Sequence, residues 1–194
     1  MTLIKKSVRN ETPTLEKDLN VKQQAKRKSK AQENTIKMRE HLFPLVTEKD
    51  LWVRTIHDGY TTIPRTMPLF MNLINDMSKS VGTGKSVPAG KAYLALWCRV
   101  FDEGMIKIDN EAAAAVEAGY IGERNVTTWR EHMRVLQELE FIVYAEGPSS
   151  PCQYILIYNP YNIIKKNKEK IQKASYTAIY QRALEIGAGK DMDM

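Results

Sequence analysis

The strongest constraint on the fold is a change of hydrophobic period at residue 140. From Glu123 to Glu140 the sequence ERNVTTWREHMRVLQELE sets Val126, Trp129, Met133, Leu136 and Leu139 at spacings of three and four. This places them on one face of a helix. The opposite face carries Thr127, Arg130, Glu131, Arg134, Gln137 and Glu138. Beyond Glu140, Phe141 to Ala145 (FIVYA) and Gln153 to Tyr158 (QYILIY) are rich in β-branched and aromatic residues. Between them Gly147 to Pro151 (GPSSP) is a strong turn signal, so the segment predicts a two-stranded hairpin.

The residues before the helix prescribe what it packs on. Lys91 to Phe101 (KAYLALWCRVF) is apolar almost all round and is expected at the centre of the fold. Gly104 then interrupts it, and Met105 to Asp109 (MIKID) alternates as a half-buried short strand does. Asp109 or Asn110 can cap the next helix, with Glu111 in its first turn favouring the positive end of the dipole. Ala112 to Ala118 is strongly helical, and its small side chains allow close approach of a neighbour. Gly119 stands where a left-handed cap is wanted, and Gly122 closes the turn GYIG into the helix that follows.

The flanks read differently. Residues 1 to about 45 are polar and basic, with AKRKSK at Ala25 to Lys30, and form a largely disordered or helical arm. Residues 46–80 hold accessory helices. The first starts at Thr47 (TEKDLWV), where Asp50 takes the place of glutamate in a capping box, and ends near Thr55. The second runs from Pro68 to Ser78, with Thr66 as its cap. Residues 81–90 read as a flexible linker. Within it, VGTGKS lacks the glycine that a phosphate-cradling loop needs five positions before Gly84, where Lys79 stands, so no nucleotide is expected. The domain proper is 91–160, and 161–194 is a basic helix over Tyr161 to Glu185 with a frayed end, GAGKDMDM. The apolar residues of that helix pack on the body or on a second copy as a homodimer.

Net charge is +6, and its distribution matters more than its total. Lys and Arg against Asp and Glu give 11 − 5 = +6 for residues 1–40, 11 − 14 = −3 for 41–160, and 7 − 4 = +3 for 161–194. The central part is slightly acidic between basic flanks. No run approaches the roughly 20 apolar residues of a membrane span, and MTLIKKSVRN lacks the apolar stretch of a signal peptide, so a cytoplasmic protein is expected. Cys98 and Cys152 form no metal-ligand spacing and read as buried small hydrophobes. His41, His57 and His132 are scattered, and no catalytic residue, metal or cofactor is proposed by any motif.

By its order of elements, and by REHMRVLQELEFI at Arg130 to Ile142 with its Leu-x-x-Leu-x-Phe-Ile join, Gly90 to Pro160 resembles the winged helix-turn-helix superfamily of bacterial transcription regulators and plasmid or phage replication initiators. The resemblance implies a mainly α fold with a small β wing (α+β). It also implies binding of double-stranded DNA by the helix at 123–140, aided by the wing. The candidate contacts are Arg124, Asn125, Thr127, Thr128, Arg130 and Arg134 on the helix and Ser149 and Ser150 on the wing. Lys26, Arg27, Lys28, Lys30, Lys165 and Lys166 are the candidates on the basic flanks. Two features oppose it. Glu131 and Glu138 repel phosphate, and a solvated face held by Glu131–Arg134 and Arg134–Glu138 pairs, about 0.2–0.5 kcal/mol each, would look the same in sequence. A winged-helix protein–protein interaction module without direct DNA reading is the alternative.

Overall fold

The structure, a computed structural model, describes residues 30–53, 58–81, 84–100 and 103–193. Lys26, Arg27, Lys28 and most of the expected arm lie outside them. The chain divides into two units at Gly59/Tyr60. That boundary falls in the turn-rich stretch HDGYTTIP, inside the segment that sequence groups as accessory helices.

In the first unit, helix α1 spans 30–42 and a single 3-10 turn follows at Glu48–Asp50. The Asp50 carboxylate accepts the Thr47 amide at 2.9 Å and its hydroxyl at 2.8 Å, half of the expected capping box. Those bonds hold the Asp50 pKa below the ordinary carboxylate range. The helix expected to continue from Asp50 is not formed at Leu51 to Val53. So short a segment cannot repay nucleation without burial, and Trp52 is exposed.

The second unit is mainly helical with a small antiparallel sheet. Its elements are α2 (Met67–Met77), α3 (Gly90–Trp97), β1 (Met105–Lys107), α4 (Glu111–Glu117), α5 (Asn125–Glu138), β2 (Ile142–Gly147), β3 (Ser150–Ile157), α6 (Pro160–Lys166), α7 (Lys173–Glu185) and α8 (Gly189–Asp193). The sheet order is β1-β3-β2, with Ile155 of β3 opposite both Ile106 and Tyr144. One sheet face is buried through Ile106, Ile142 and Ile155. On the other, Met105 and Leu156 are exposed neighbours, with Val143 on the far side of Leu156.

Four expectations are corrected. The segment expected to be a flexible linker is bonded to the end of α2 at Val81, Ser86, Val87 and Gly90. Ser78 Oγ takes the Val87 amide at 2.7 Å, Asn75 Oδ1 takes the Gly90 amide at 2.9 Å, and Ser86 Oγ donates to the Asn75 carbonyl. Thr66 stands at the N-cap of α2 as expected, but its hydroxyl makes no capping bond and meets the buried Tyr161 hydroxyl at 3.0 Å instead. The single C-terminal helix is instead α6, a 3-10 turn at Lys168–Lys170, and α7. Asn159 caps α6 ahead of Pro160. Asn167 ends α6 at its C-cap, its side-chain amide donating to the Ile163 carbonyl at 3.0 Å. Nor is the end frayed, since Met192 of α8 is buried.

Gly90 is where α2 and α3 come closest. A Cβ there would lie 2.7 Å from the Met71 carbonyl oxygen and 2.8 Å from its Cα. Replacing glycine within an exposed helix by alanine ordinarily stabilises by roughly 0.5–1 kcal/mol. Here overpacking, about 1–3 kcal/mol, should exceed that gain. Gly90→Ala is therefore expected to lower the denaturant midpoint; an unchanged or higher midpoint would show that the two helices can separate at no cost.

Candidate functional site

The longest helix of the second unit, α5, owes its direction to the turn before it. Gly119 (φ 81°) ends α4, with the Tyr120 amide returning to the Ala115 carbonyl, and Gly122 (φ 95°) opens the approach to α5. Both positions need the left-handed backbone that glycine adopts without penalty. Trp129, His132, Met133, Val135 and Leu136 are buried. Arg124, Thr127, Arg130, Glu131, Arg134 and Glu138 are exposed at spacings of three and four, so they form one continuous solvent face.

Two polar locks fix α5 against α4 and its turn. Arg130 donates through Nε (2.9 Å) and Nη2 (2.5 Å) to one oxygen, Oε2, of Glu111. The Glu111 side chain is 6% exposed and the Arg130 side chain 48%, so the carboxylate anchors the guanidinium from inside. The other oxygen, Oε1, is buried and has no protein partner. The second lock is the buried pair Tyr120–His132, 2.5 Å from the hydroxyl to Nδ1 with the rings edge-on. Burial pushes the Tyr120 pKa up to about 12, so the phenol keeps its proton and shares one hydrogen bond with Nδ1. Burial also holds the His132 pKa below 6.5, only partly opposed by the charge of Glu131.

Three consecutive residues join these parts to the hairpin. Asp109 accepts Gln153 Nε2 at 3.0 Å and pairs with Lys107 at 2.8 Å. Asn110 caps α4 by accepting the Ala113 amide at 3.0 Å. Glu111 holds Arg130. The buried Gln153 in turn accepts the Ser149 amide at 3.0 Å through Oε1, so the hairpin turn is tied to the start of α4. At the other end of α5, Gln137 Oε1 accepts the Tyr144 amide of β2.

The remaining candidates divide by environment. Arg124 and Thr127 are exposed, and Thr128 is half-buried. Asn125 is half-buried, with its carbonyl turned to the Val126 amide. Arg134 pairs with Glu138, as the solvated-face reading anticipated. Ser149 is exposed at the turn, but Ser150 is buried at the start of β3 with its hydroxyl lacking a protein partner. The turn is tighter than GPSSP suggests, because Gly147 pairs with Ser150 and only Pro148 and Ser149 protrude. Lys166 is taken by Glu140 at 2.5 Å, and Lys165 is half-buried and makes contacts of its own. Lys30 is exposed at the start of α1, in the first unit.

Sequence reasoning missed Glu111, although a signal existed. Glu111, Ala114, Ala115 and Ala118 follow i, i+3, i+4, i+7, and all four are buried, which places a carboxylate in the buried stripe of α4. Cys98, expected inside, is exposed; Cys152 is buried, and its thiol pKa is pushed up to about 11 by burial and then by the Glu111 charge. Among the described residues no three His, Cys, Asp or Glu side chains converge as a metal site would require, and no helix is long and apolar enough to cross a membrane.

Comparison of the chain with protein-family models finds no match, and comparisons with curated proteins and with solved structures find none either.

The Tyr120–His132 lock has a pH signature. A histidine whose folded pKa lies below its unfolded value binds fewer protons folded than unfolded, so stability falls as pH drops below about 6.5. The slope from this one group is at most about 1.4 kcal/mol per pH unit. In His132→Asn, Oδ1 takes the place of Nδ1 and nothing titrates. The variant should lose less stability than the native chain between pH 6.5 and 5, measured by urea unfolding; parallel losses would exclude His132 as the source.

Proposed function

We propose that the second unit is a winged helix-turn-helix and that the protein binds double-stranded DNA through α5. The observation that carries this reading is the solvent face of α5. Arg124, Thr127, Arg130 and Arg134 stand in line on a 14-residue helix whose opposite face is fully committed to the core. A helix about 10–12 Å across fits a major groove about 12 Å wide. The order α3-β1-α4-α5-β2-β3, with β3 between β1 and β2, supports α4 and α5 as the two helices of the turn and β2–β3 as the wing. On this assignment the Ser149 amide is spent on Gln153, so the wing offers the Ser149 hydroxyl at its tip.

Electrostatics argue for a division of labour. Arg130 and Arg134 each face a carboxylate, and Glu131 lies beside them, so the face has little net charge with which to attract phosphate. Long-range attraction then falls to the basic flanks, +6 in residues 1–40 and +3 in 161–194, while α5 supplies position and reading. The role that fits is a cytoplasmic transcription regulator, or a replication or maintenance factor of a plasmid or other mobile element, acting on its site as a monomer or homodimer.

A second reading rests on the outer sheet face. Met105, Leu156 and Tyr158 are each about half exposed, as a protein-interaction module would present them. Selection of bound sequences from a random duplex pool separates the two, since a DNA reader enriches one motif. With that duplex, Arg124→Ala/Arg134→Ala should lose at least about tenfold in affinity, the equivalent of about 1.4 kcal/mol. Its thermal melt should hold, because an exposed i,i+4 pair contributes only about 0.3–0.5 kcal/mol. Equal affinity of the folded variant and the native chain would remove α5 from the interface.

A further inference from the structure

Resting on the DNA-reading assignment above, we propose that Glu111 is a positioning residue for Arg130. It presents the outer end of the guanidinium as a ready-made pair of donors for one guanine edge. A guanidinium has two hydrogen-bonding edges, a side edge of Nε and Nη2 and an end edge of Nη1 and Nη2. Glu111 Oε2 takes the whole side edge, at 2.9 and 2.5 Å. The end edge, with Nη1 and the second N–H of Nη2, is engaged by no side chain among the described residues, and the Arg130 side chain is 48% exposed. Guanine O6 and N7 accept a fork of this shape.

The geometry distinguishes Arg130 from its neighbour. Arg134 pairs with Glu138 of its own helix, and both partners are about half exposed, so that arginine is free to leave and regroup. Glu111 is on another helix, is almost fully buried, and keeps Oε1 without a protein partner. A buried carboxylate with one idle oxygen is poor design for stability alone, since apolar packing in its place is often neutral or stabilising. What it provides is a fixed guanidinium plane in the middle of the exposed row, between Thr127 and Arg134. The rotamer freedom that a free arginine loses on binding is already lost here. Because the pair is neutral, Arg130 adds specificity for a base rather than general attraction to phosphate.

The test uses the full chain and the duplex selected from a random pool. Each guanine of the selected site is replaced in turn by 7-deazaguanine, which removes the N7 acceptor and keeps the pairing. The native protein should lose at least about fivefold at one guanine. Arg130→Lys, which keeps the charge but not the fork, should be less sensitive than the native chain at that position and keep its affinity for a scrambled duplex. Glu111→Gln should weaken binding to the selected duplex, while binding to the scrambled duplex holds or strengthens, because the substitution uncovers the charge of Arg130. Circular-dichroism melts establish that each variant is folded. Should both variants unfold, the same scan on the native chain and on Arg124→Ala/Arg134→Ala decides, since an N7 dependence that survives the loss of both neighbours leaves Arg130 as its source, and one that vanishes assigns it elsewhere. Indifference to N7 at every guanine, a selected motif without guanine, or a folded Arg130→Lys with native sensitivity overturns the positioning role while DNA binding stands. A pool that yields no motif and no binding at low salt overturns both.

Discussion

Helix α3 has to be wrapped, and the second unit is largely the set of elements that wrap it. Eight residues are too few for a stable isolated helix in water. Ala92, Tyr93, Ala95 and Leu96 are all buried, and solvent reaches α3 only along Lys91, the half-buried Leu94 and Trp97, and Cys98 at its end. The alanines and Gly90 let α2 come close, and α4 and α5 pack on other sides. Tyr93 meets Phe141 edge-on at 5.4 Å, which brings the junction between α5 and the sheet onto the same axis. Phe70 against Tyr161, at 5.3 Å, closes the ring by joining α2 to α6. Burial of α3 thus acts together with the turn at Gly119–Gly122 in setting where α5 lies.

Periodicity made the middle of the chain readable and failed where polar groups decide. The apolar stripe of α5, the alternation of β1 and the hairpin are found where spacing places them, because each is set by one buried face. The C-terminal segment misled because its lysines sit in a stretch of helical phase. The Asn167 cap and the extended, buried Ile171 break the helix, and neither shows in an apolar count. The supposed linker failed for a related reason. Gly84 and Pro88 signal a loop correctly, but Ser78 and Asn75, which bind its end, lie in and just after a helix whose apolar pattern gives no hint of them. At the candidate site, exposure of Arg124, Thr127, Arg130 and Arg134 was legible. The partner of Arg130 was not, since a glutamate at a helix start is adequately explained by the dipole.

Pairing of charge across the α5 face has a bearing on how such a helix behaves without its ligand. Arginines held by carboxylates neither collapse onto neighbouring acidic surface nor condense many counterions. On the proposed reading, the basic flanks set how often DNA is met, while the face itself sets how well one sequence is told from another. These two properties are carried by different parts of the chain, so they can change independently.

The tripeptide Asp109-Asn110-Glu111 adds a mechanical consequence. Its three side chains reach the hairpin through Gln153, the first turn of α4, and the middle of α5. Neighbouring residues with three different destinations leave no slack. An inserted or deleted residue between β1 and α4 would hand each task to the wrong side chain, so this short connection tolerates length changes far less than its exposed surroundings suggest. It also behaves as a lever. A force that bends the hairpin tip at Ser149 reaches the guanidinium of Arg130 through three side-chain hydrogen-bonded links and two peptide units, without passing through the hydrophobic core.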